Sequence, residues 1–316
     1  MNLSDRAHTY TLFAIVVLAT ALGSMAQTVM NSMLGGISAT FGIAPAVGQW
    51  LTTIYMLVLG ITVPVVTFLS HKLSVKSLTF LALALFLAGA VVAWAAPSFG
   101  VLLAGRVLQA IGSGITLPLL QAIAMTRFPP GQNATAMGIA GIAMGFAPNI
   151  GPLIGGALVD SLGWRSFYVI LLGILAALVL ATVLLVPRSP APARDARLDA
   201  PSLVLSTLGF GGLLLGFSEA SSLGAAHPVV WASVAVGAAC LALFVRRQRR
   251  VDDPLIDLRI FGSRRFRASF VAQNLLFASF MGITLIVPLF VQNLQGGTAL
   301  EAGIVFIPAT VAAPLF

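Results

Sequence analysis

GIAGIAMGFAPNIGPLIGG, running from Gly138 to Gly156, is the stretch on which the fold turns. At helical spacing Gly138, Gly141, Gly145, Pro148, Pro152 and Gly155 fall three and four residues apart and line one face, a seam without side-chain bulk. In water such a helix would be poor, because a glycine costs ~1 kcal/mol against alanine and an interior proline roughly 3. In a bilayer, small residues are what let helix backbones approach one another. Spacing alone leaves two readings open: a packing seam with no further role, or a hinge and sealing surface in a bundle that opens on alternate sides.

The composition around that stretch agrees with a bilayer. The 316 residues are 59% hydrophobic and 8% charged, with a mean hydropathy of +1.02, whereas a soluble domain is about one quarter charged. The expected class is an all-α integral membrane protein, a polytopic helical bundle. The net charge of +8 invites a nucleic-acid reading, but basic residues placed in loops between apolar spans are explained by topology, so no nucleic-acid partner is expected. Cys240 stands alone within an apolar run, which rules out an internal disulfide and a cysteine metal site. The first apolar run, from Thr11 to Leu34, is too long for a signal peptide.

Continuously apolar runs predict about ten transmembrane helices, at 11–34, 48–70, 78–96, 101–125, 134–157, 166–186, 201–219, 228–245, 268–291 and 299–316. Each is near the ~20 residues that a bilayer requires, and none alternates as a membrane strand does. With the N terminus inside, 15 of the 17 Lys and Arg residues fall in inner segments. The positive-inside rule therefore selects a multi-pass protein of the cytoplasmic membrane with a cytoplasmic N terminus. Arg165 falls outside, and Arg106 lies within a span.

Two inner loops divide the chain. Residues 1–186 read as an N-terminal six-helix bundle, 187–200 as a Pro-rich cytoplasmic linker, and 201–245 as two extra helices. Residues 246–267 form a basic cytoplasmic loop, read either as a topology anchor or as a segment that meets anionic lipid or a partner. Residues 268–316 open a C-terminal bundle; the run stops at Phe316 without a basic flank, so the sequence is expected to be cut short there.

Few residues carry chemistry. Arg106 is the one charge well inside a span, and an intramembrane cation is by default functional and faces the bundle; the alternative is a structural anchor that reaches the outer headgroups. Gln109 follows on the same helix face. The first span carries a polar stripe of Thr20, Ser24, Gln27 and Asn31, expected to look into the bundle, where it touches substrate or hydrogen-bonds neighbouring helices. Asn149 is a weaker candidate of the same kind. No catalytic constellation, metal cluster or phosphate-binding loop is present, so neither an enzyme nor an ATP-driven pump is expected, and no cofactor.

The chain resembles the major facilitator superfamily, in particular its 14-span multidrug exporter branch of drug:proton antiporters. The resemblance runs from about Gln27 to the end and is carried by four stretches. GPLIGG (Gly151–Gly156) looks like the antiporter motif of the fifth helix, and LLAGRVLQAIGSG (Leu102–Gly114) looks like the fourth-helix motif, with Arg106 and Gln109 in its Arg and Gln places. WLTTIYMLVLGITVPVVTFLSHKLSVK (Trp50–Lys76) is similar in outline to the second helix and the loop after it, and PLIDLRIF (Pro254–Phe261) to the segment after the two extra helices. Thr67, His71 and Ser74 replace the Gly, Asp and Gly of the family's loop pattern, leaving Leu69, Lys72 and Lys76 as its matches; Ala26 stands where the first helix commonly has Asp.

The resemblance implies secondary active export of small amphipathic compounds by alternating access, driven by a proton gradient. It implies that Arg106, Gln109, Gln27, Asn31 and Asn149 serve substrate or coupling. Gly141, Gly145, Pro148, Gly151, Pro152, Gly155 and Gly156 would form the packing face of the antiporter motif, and Lys72 and Lys76 the inner gate. Membrane lipids and a small-molecule substrate are the expected partners, with oligomeric state open. A transporter of one specific metabolite, and a truncated non-transporting fragment or membrane scaffold, are the alternatives.

Overall fold

The computed structural model describes the backbone of every residue except 1, 2, 130, 188–198, 225, 252, 253, 255, 256, 292–294, 297–300, 302–304 and 306–316. The side chains of 3–6, 45, 46, 64, 67, 160, 221–223, 280, 281, 284, 285, 288 and 289 also lie outside the description. Among the described residues the chain is helical without strands: α1 (Leu3–Phe41), a single turn at Pro45–Gly48, α2 (Trp50–Lys72), α3 (Val75–Trp94), α4 (Phe99–Thr126), α5 (Asn133–Leu162), α6 (Arg165–Leu185), α7 (Ala200–Leu223), α8 (Pro228–Gln248), a 3₁₀ turn (Leu258–Gly262) and α9 (Arg264–Leu289). Seven of the described helices are long and apolar enough to cross a membrane.

Nine of the ten expected spans coincide with these helices. The expected tenth, 299–316, lies outside the described residues but for Glu301 and Val305, as does most of the linker 187–200. Several helices run past the apolar limits read from sequence. The first begins eight residues before Thr11, and the ninth starts with Arg264, Arg265 and Arg267 in its opening turn. An apolar run marks what a bilayer can cover, whereas a helix extends until its backbone finds a cap. Ser74 caps α3 and Ser98 caps α4, each side chain accepting from a backbone N–H three residues on.

The described residues fall into two compact units, one within Met1–Ala196 and one within Arg197–Thr298. In the first, α4 packs on α1, α2, α3 and α5. Its glycines explain how. A Cβ on Gly105 would lie 2.8 Å from the Ala93 nitrogen of α3, and one on Gly112 would lie 2.5 Å from the Ala82 carbonyl. Those backbones meet with no room for a methyl group, the close approach that small residues permit between membrane helices. The second unit is built on a hairpin of α7 and α8, joined the same way where Gly212 meets Gly237.

The proposed seam of α5 divides into two parts. Gly151 and Gly155 are true contact points, since a Cβ on Gly151 would fall 2.2 Å from Thr28 Oγ1 and one on Gly155 2.8 Å from Val29 of α1. Gly138, Gly141 and Gly145 have nothing within 4 Å of an added Cβ, so no described backbone approaches them. Gly156 and Pro152 are buried, and Pro148 is half-buried.

Candidate functional site

Arg106 sits on the second turn of α4, and its side chain is fully buried, with 0% exposure. With no exposed surface and its Nε and Nη1 donors turned to Leu51 and Gln109, the guanidinium does not snorkel in this structure. A buried cation needs compensation, since its desolvation costs several kcal/mol. Three contacts supply part of it. The Tyr55 ring of α2 lies 4.2 Å beneath Arg106 Cζ, a cation–π contact worth about 2 kcal/mol or more away from water. Arg106 Nε donates to the Leu51 carbonyl at 3.3 Å and Nη1 donates to Gln109 Oε1 at 3.0 Å, charge-assisted bonds of roughly 1.5–3 kcal/mol each. Tyr55 is in turn held by α1, its hydroxyl donating to the Gly23 carbonyl at 2.9 Å.

The compensation is incomplete. Arg106 Nη2 and Gln109 Nε2 are buried without a hydrogen-bond partner, and among the described residues no carboxylate pairs with Arg106. Both orphan groups are donors, and leaving a buried donor unfilled costs ~1–3 kcal/mol. The pair thus has the chemistry to hold an acceptor: a carboxylate, a carbonyl or an ordered water. It holds no general base.

The other sequence candidates are placed as follows. Thr20 of the polar stripe is buried and donates back to the Val16 carbonyl. Ser24 and Gln27 are half-buried. Asn31 is exposed, and its Oδ1 accepts from Thr52 Oγ1 at 3.2 Å. Asn149 is buried, its Nδ2 donating to the Gly145 carbonyl at 2.9 Å while Oδ1 has no partner. No hydrogen bond joins Gln27, Asn31 or Asn149 to the Arg106–Gln109 pair.

Residues outside the polar stripe make the tie between α1 and α5. Pro152 has no N–H, so the Pro148 carbonyl four residues earlier loses its helical donor. Thr28 Oγ1 supplies the replacement at 2.8 Å, and Ser32 Oγ donates to the Pro152 carbonyl at 3.1 Å. The signal was present as the proline pair; the matching hydroxyls sit 120 residues away, where sequence spacing says nothing.

Lys72 lies over the Phe68 ring, its Nζ 5.1 Å from the centroid. Lys76, in the first turn of α3, donates to the Val183 carbonyl at 3.0 Å and to the Val186 carbonyl, both at the C-terminal end of α6. At the other end Arg165, the first residue of α6, donates to the Trp94 and Ala96 carbonyls at 3.3 and 2.9 Å and stacks on Trp164. The two helices therefore run antiparallel, and each ends on a cation from the first turn of the other.

Comparison with known proteins bears on this arrangement. The model of the Major Facilitator Superfamily matches residues 16–316. The uncharacterized MFS-type transporter YcnB of Bacillus subtilis is 38% identical over 90% of this chain and 60% of its own length. The lincomycin resistance protein LmrB of Listeria monocytogenes is 33% identical over 95% of this chain and 64% of its own. The multidrug resistance protein B homolog of Mycobacterium tuberculosis is 29% identical over 95% and 56%. The chain thus spans about three fifths of the length of these relatives. Among solved structures, a peptide transporter POT superposes with a TM-score of 0.61 at 14% identity, over 98% of this chain and 67% of that one, a likeness of fold.

Proposed function

This chain belongs to the Major Facilitator Superfamily, and from that premise we propose that it forms the first part of a secondary transporter exporting small amphipathic compounds by proton-coupled antiport. The observation that carries the reading is the buried pair of unfilled donors, Arg106 Nη2 and Gln109 Nε2. A structural arginine would be expected to have all its donors met, whereas a transport site must exchange its acceptor during the cycle. Relatives whose names record lincomycin and multidrug resistance support the substrate class.

In this reading residues 1–186 act as one rocking bundle, 201–245 as two added helices, and 268–316 as the opening of the opposing bundle, with alternating access around a cavity near the bilayer midplane. Gln27, Asn31 and Asn149 line that cavity, and the antiporter-motif face of α5 forms the sealing surface. Lys72 and Lys76 contribute to the inner gate. The protein lies in the cytoplasmic membrane with its N terminus inside.

The test is efflux of a fluorescent cationic dye from cells producing the chain in its native reading frame, with and without a protonophore. Arg106→Ala is expected to abolish efflux at unchanged membrane abundance, and Arg106→Lys to leave little of it, because an ammonium lacks the fork that reaches Leu51 and Gln109 together. Normal efflux by Arg106→Ala would overturn the assignment. A response to one metabolite alone across a substrate panel would replace drug export with a specific transporter.

A further inference from the structure

The inner end of the α7–α8 hairpin carries four arginines that the structure treats differently. Arg247 is neutralised: its guanidinium donates to both oxygens of Asp199, at 2.8 and 3.1 Å to Oδ1 and 3.1 Å to Oδ2. Asp199 is also the N-cap of α7, accepting from Ser202 N and Ser202 Oγ. Gln248, itself buried, donates to Ser202 Oγ at 2.7 Å and closes the clasp. Arg246, Arg249 and Arg250 are exposed and have no acid among the described residues.

These three lie with Leu241, Ala242 and Val245 of α8 along an open groove of about 530 Å³, the apolar residues coming before the arginines along the chain. The groove thus has an apolar floor that runs up α8 into its membrane-spanning part, and a rim of three cations, without an acid partner among the described residues, towards the end of that helix. A free anion would use the rim and leave the floor wet; an apolar solute would use the floor and leave the charges unmet. A cationic solute is repelled. A neighbouring groove shares Arg249 but mixes Arg259 with Asp257, and so lacks the one-sign rim.

We propose that the groove at the inner end of α8 is a binding site for an anionic phospholipid, its phosphodiester held by Arg246, Arg249 and Arg250 and its upper acyl chain lying along Leu241, Ala242 and Val245. Basic groups at the end of a membrane helix attract acidic lipid at roughly fivefold per residue, so three together correspond to about 100-fold. The site rests on α7 and α8 lying in a bilayer and uses nothing of the transport reading, so it stands or falls separately from dye efflux.

The experiment is a lipid titration of the purified 316-residue chain in neutral detergent, followed by native mass spectrometry. Dioleoyl phosphatidylglycerol is compared with dioleoyl phosphatidylcholine, with its own deacylated headgroup and with inorganic phosphate. The wild-type chain is expected to hold phosphatidylglycerol on the order of 100-fold more tightly than phosphatidylcholine. Arg246→Gln/Arg249→Gln/Arg250→Gln should lose that preference, while Arg264→Gln/Arg265→Gln/Arg267→Gln, an equal loss of charge on α9, should keep it. Helix content and monodispersity of both triple variants are checked by circular dichroism and size exclusion. Equal loss in the two variants would mean diffuse attraction to net charge and would overturn the site. So would phosphatidylglycerol held no better than phosphatidylcholine. Deacylated headgroup or phosphate binding as well as the lipid would also overturn it, by showing that the apolar floor takes no part.

Discussion

At the scale of single residues, the fifth helix survives two prolines because another helix repairs the damage. Thr28 meets the Pro148 carbonyl that Pro152 leaves without a donor, and Gly151 lets the hydroxyl come close enough to do so. In a bilayer there is no water to take over, so the bond has consequences despite being one of many. Thr28→Val keeps the shape and removes the donor; it should destabilise the purified protein by about 0.6 kcal/mol, the average for hydrogen bonds between membrane helices, and by no more than about 1.7. Thr28→Ser should recover most of that loss. Gly151→Ala should cost more than Thr28→Val, since its Cβ would stand 2.9 Å from the Met25 carbonyl, which cannot swing away as a side chain can. Thermal unfolding in detergent measures all three, and an unchanged midpoint for Thr28→Val would remove the repair role. Arg106 could be singled out from sequence because a charge in an apolar run is conspicuous, and its pairing with Gln109 followed from helical spacing. Its bed of Tyr55 and Leu51 could not, because those contacts cross between helices more than fifty residues apart.

At the scale of elements, run length and charge were enough to locate nine helices, because the bilayer imposes a length that the chain must meet. Which faces touch was less legible. A glycine seam reads the same whether it is filled or open: Gly151 and Gly155 meet α1, whereas Gly138, Gly141 and Gly145 have no described neighbour within 4 Å of an added Cβ. The exchange of caps between α3 and α6 was hidden for a similar reason: Arg165 looked like an exception to the positive-inside rule, and its task at the end of α3 depends on a partner 69 residues earlier. A cation at a helix C terminus is worth about 0.3–1 kcal/mol. Lys76→Ala and Arg165→Ala should each lower stability by about that much, and the double variant by close to the sum, because the two caps lie at opposite ends and share no partner. A clear excess in the double variant would mean that the ends are coupled. The α7–α8 clasp adds a pH dependence. Hydrogen bonding to the Arg247 guanidinium, and then to Ser202, holds the Asp199 carboxyl below its usual range. A depressed folded-state pKa gives stability that is present above the ordinary carboxylate value of about 3.9 and is lost as pH falls through the folded value. The hairpin should therefore loosen only below about pH 4. Asp199→Asn should remove that acid step while weakening the hairpin at neutral pH, as followed by the pH dependence of hydrogen exchange in α7.

At the scale of the whole molecule, the distribution of basic residues is a statement about every loop at once. Each span reverses the side on which the next loop lies, so one helix missed or added would transfer all later Lys and Arg residues to the opposite face. The crossing pattern expected from the sequence puts 15 of the 17 basic residues on one side, and that asymmetry is what the pattern's number and direction of crossings rest on. Cys240 is the sole cysteine, so a Cys240→Ala background allows single cysteines to report the side of each loop. Pro97 and Ala226, between α3 and α4 and between α7 and α8, are exposed, as are Thr126 at the end of α4 and Gly262 before α9. With a cytoplasmic N terminus, Pro97→Cys and Ala226→Cys should react with a membrane-impermeant maleimide on intact cells. Thr126→Cys and Gly262→Cys should react only after permeabilisation. The complete reverse of this pattern would invert the protein and put the phospholipid groove in the outer leaflet. Agreement at Pro97 and Thr126 with reversal at Ala226 and Gly262 would instead place an odd number of crossings between the two units, which the loop charges could not sustain without carrying the eight arginines of 246–267 across the membrane.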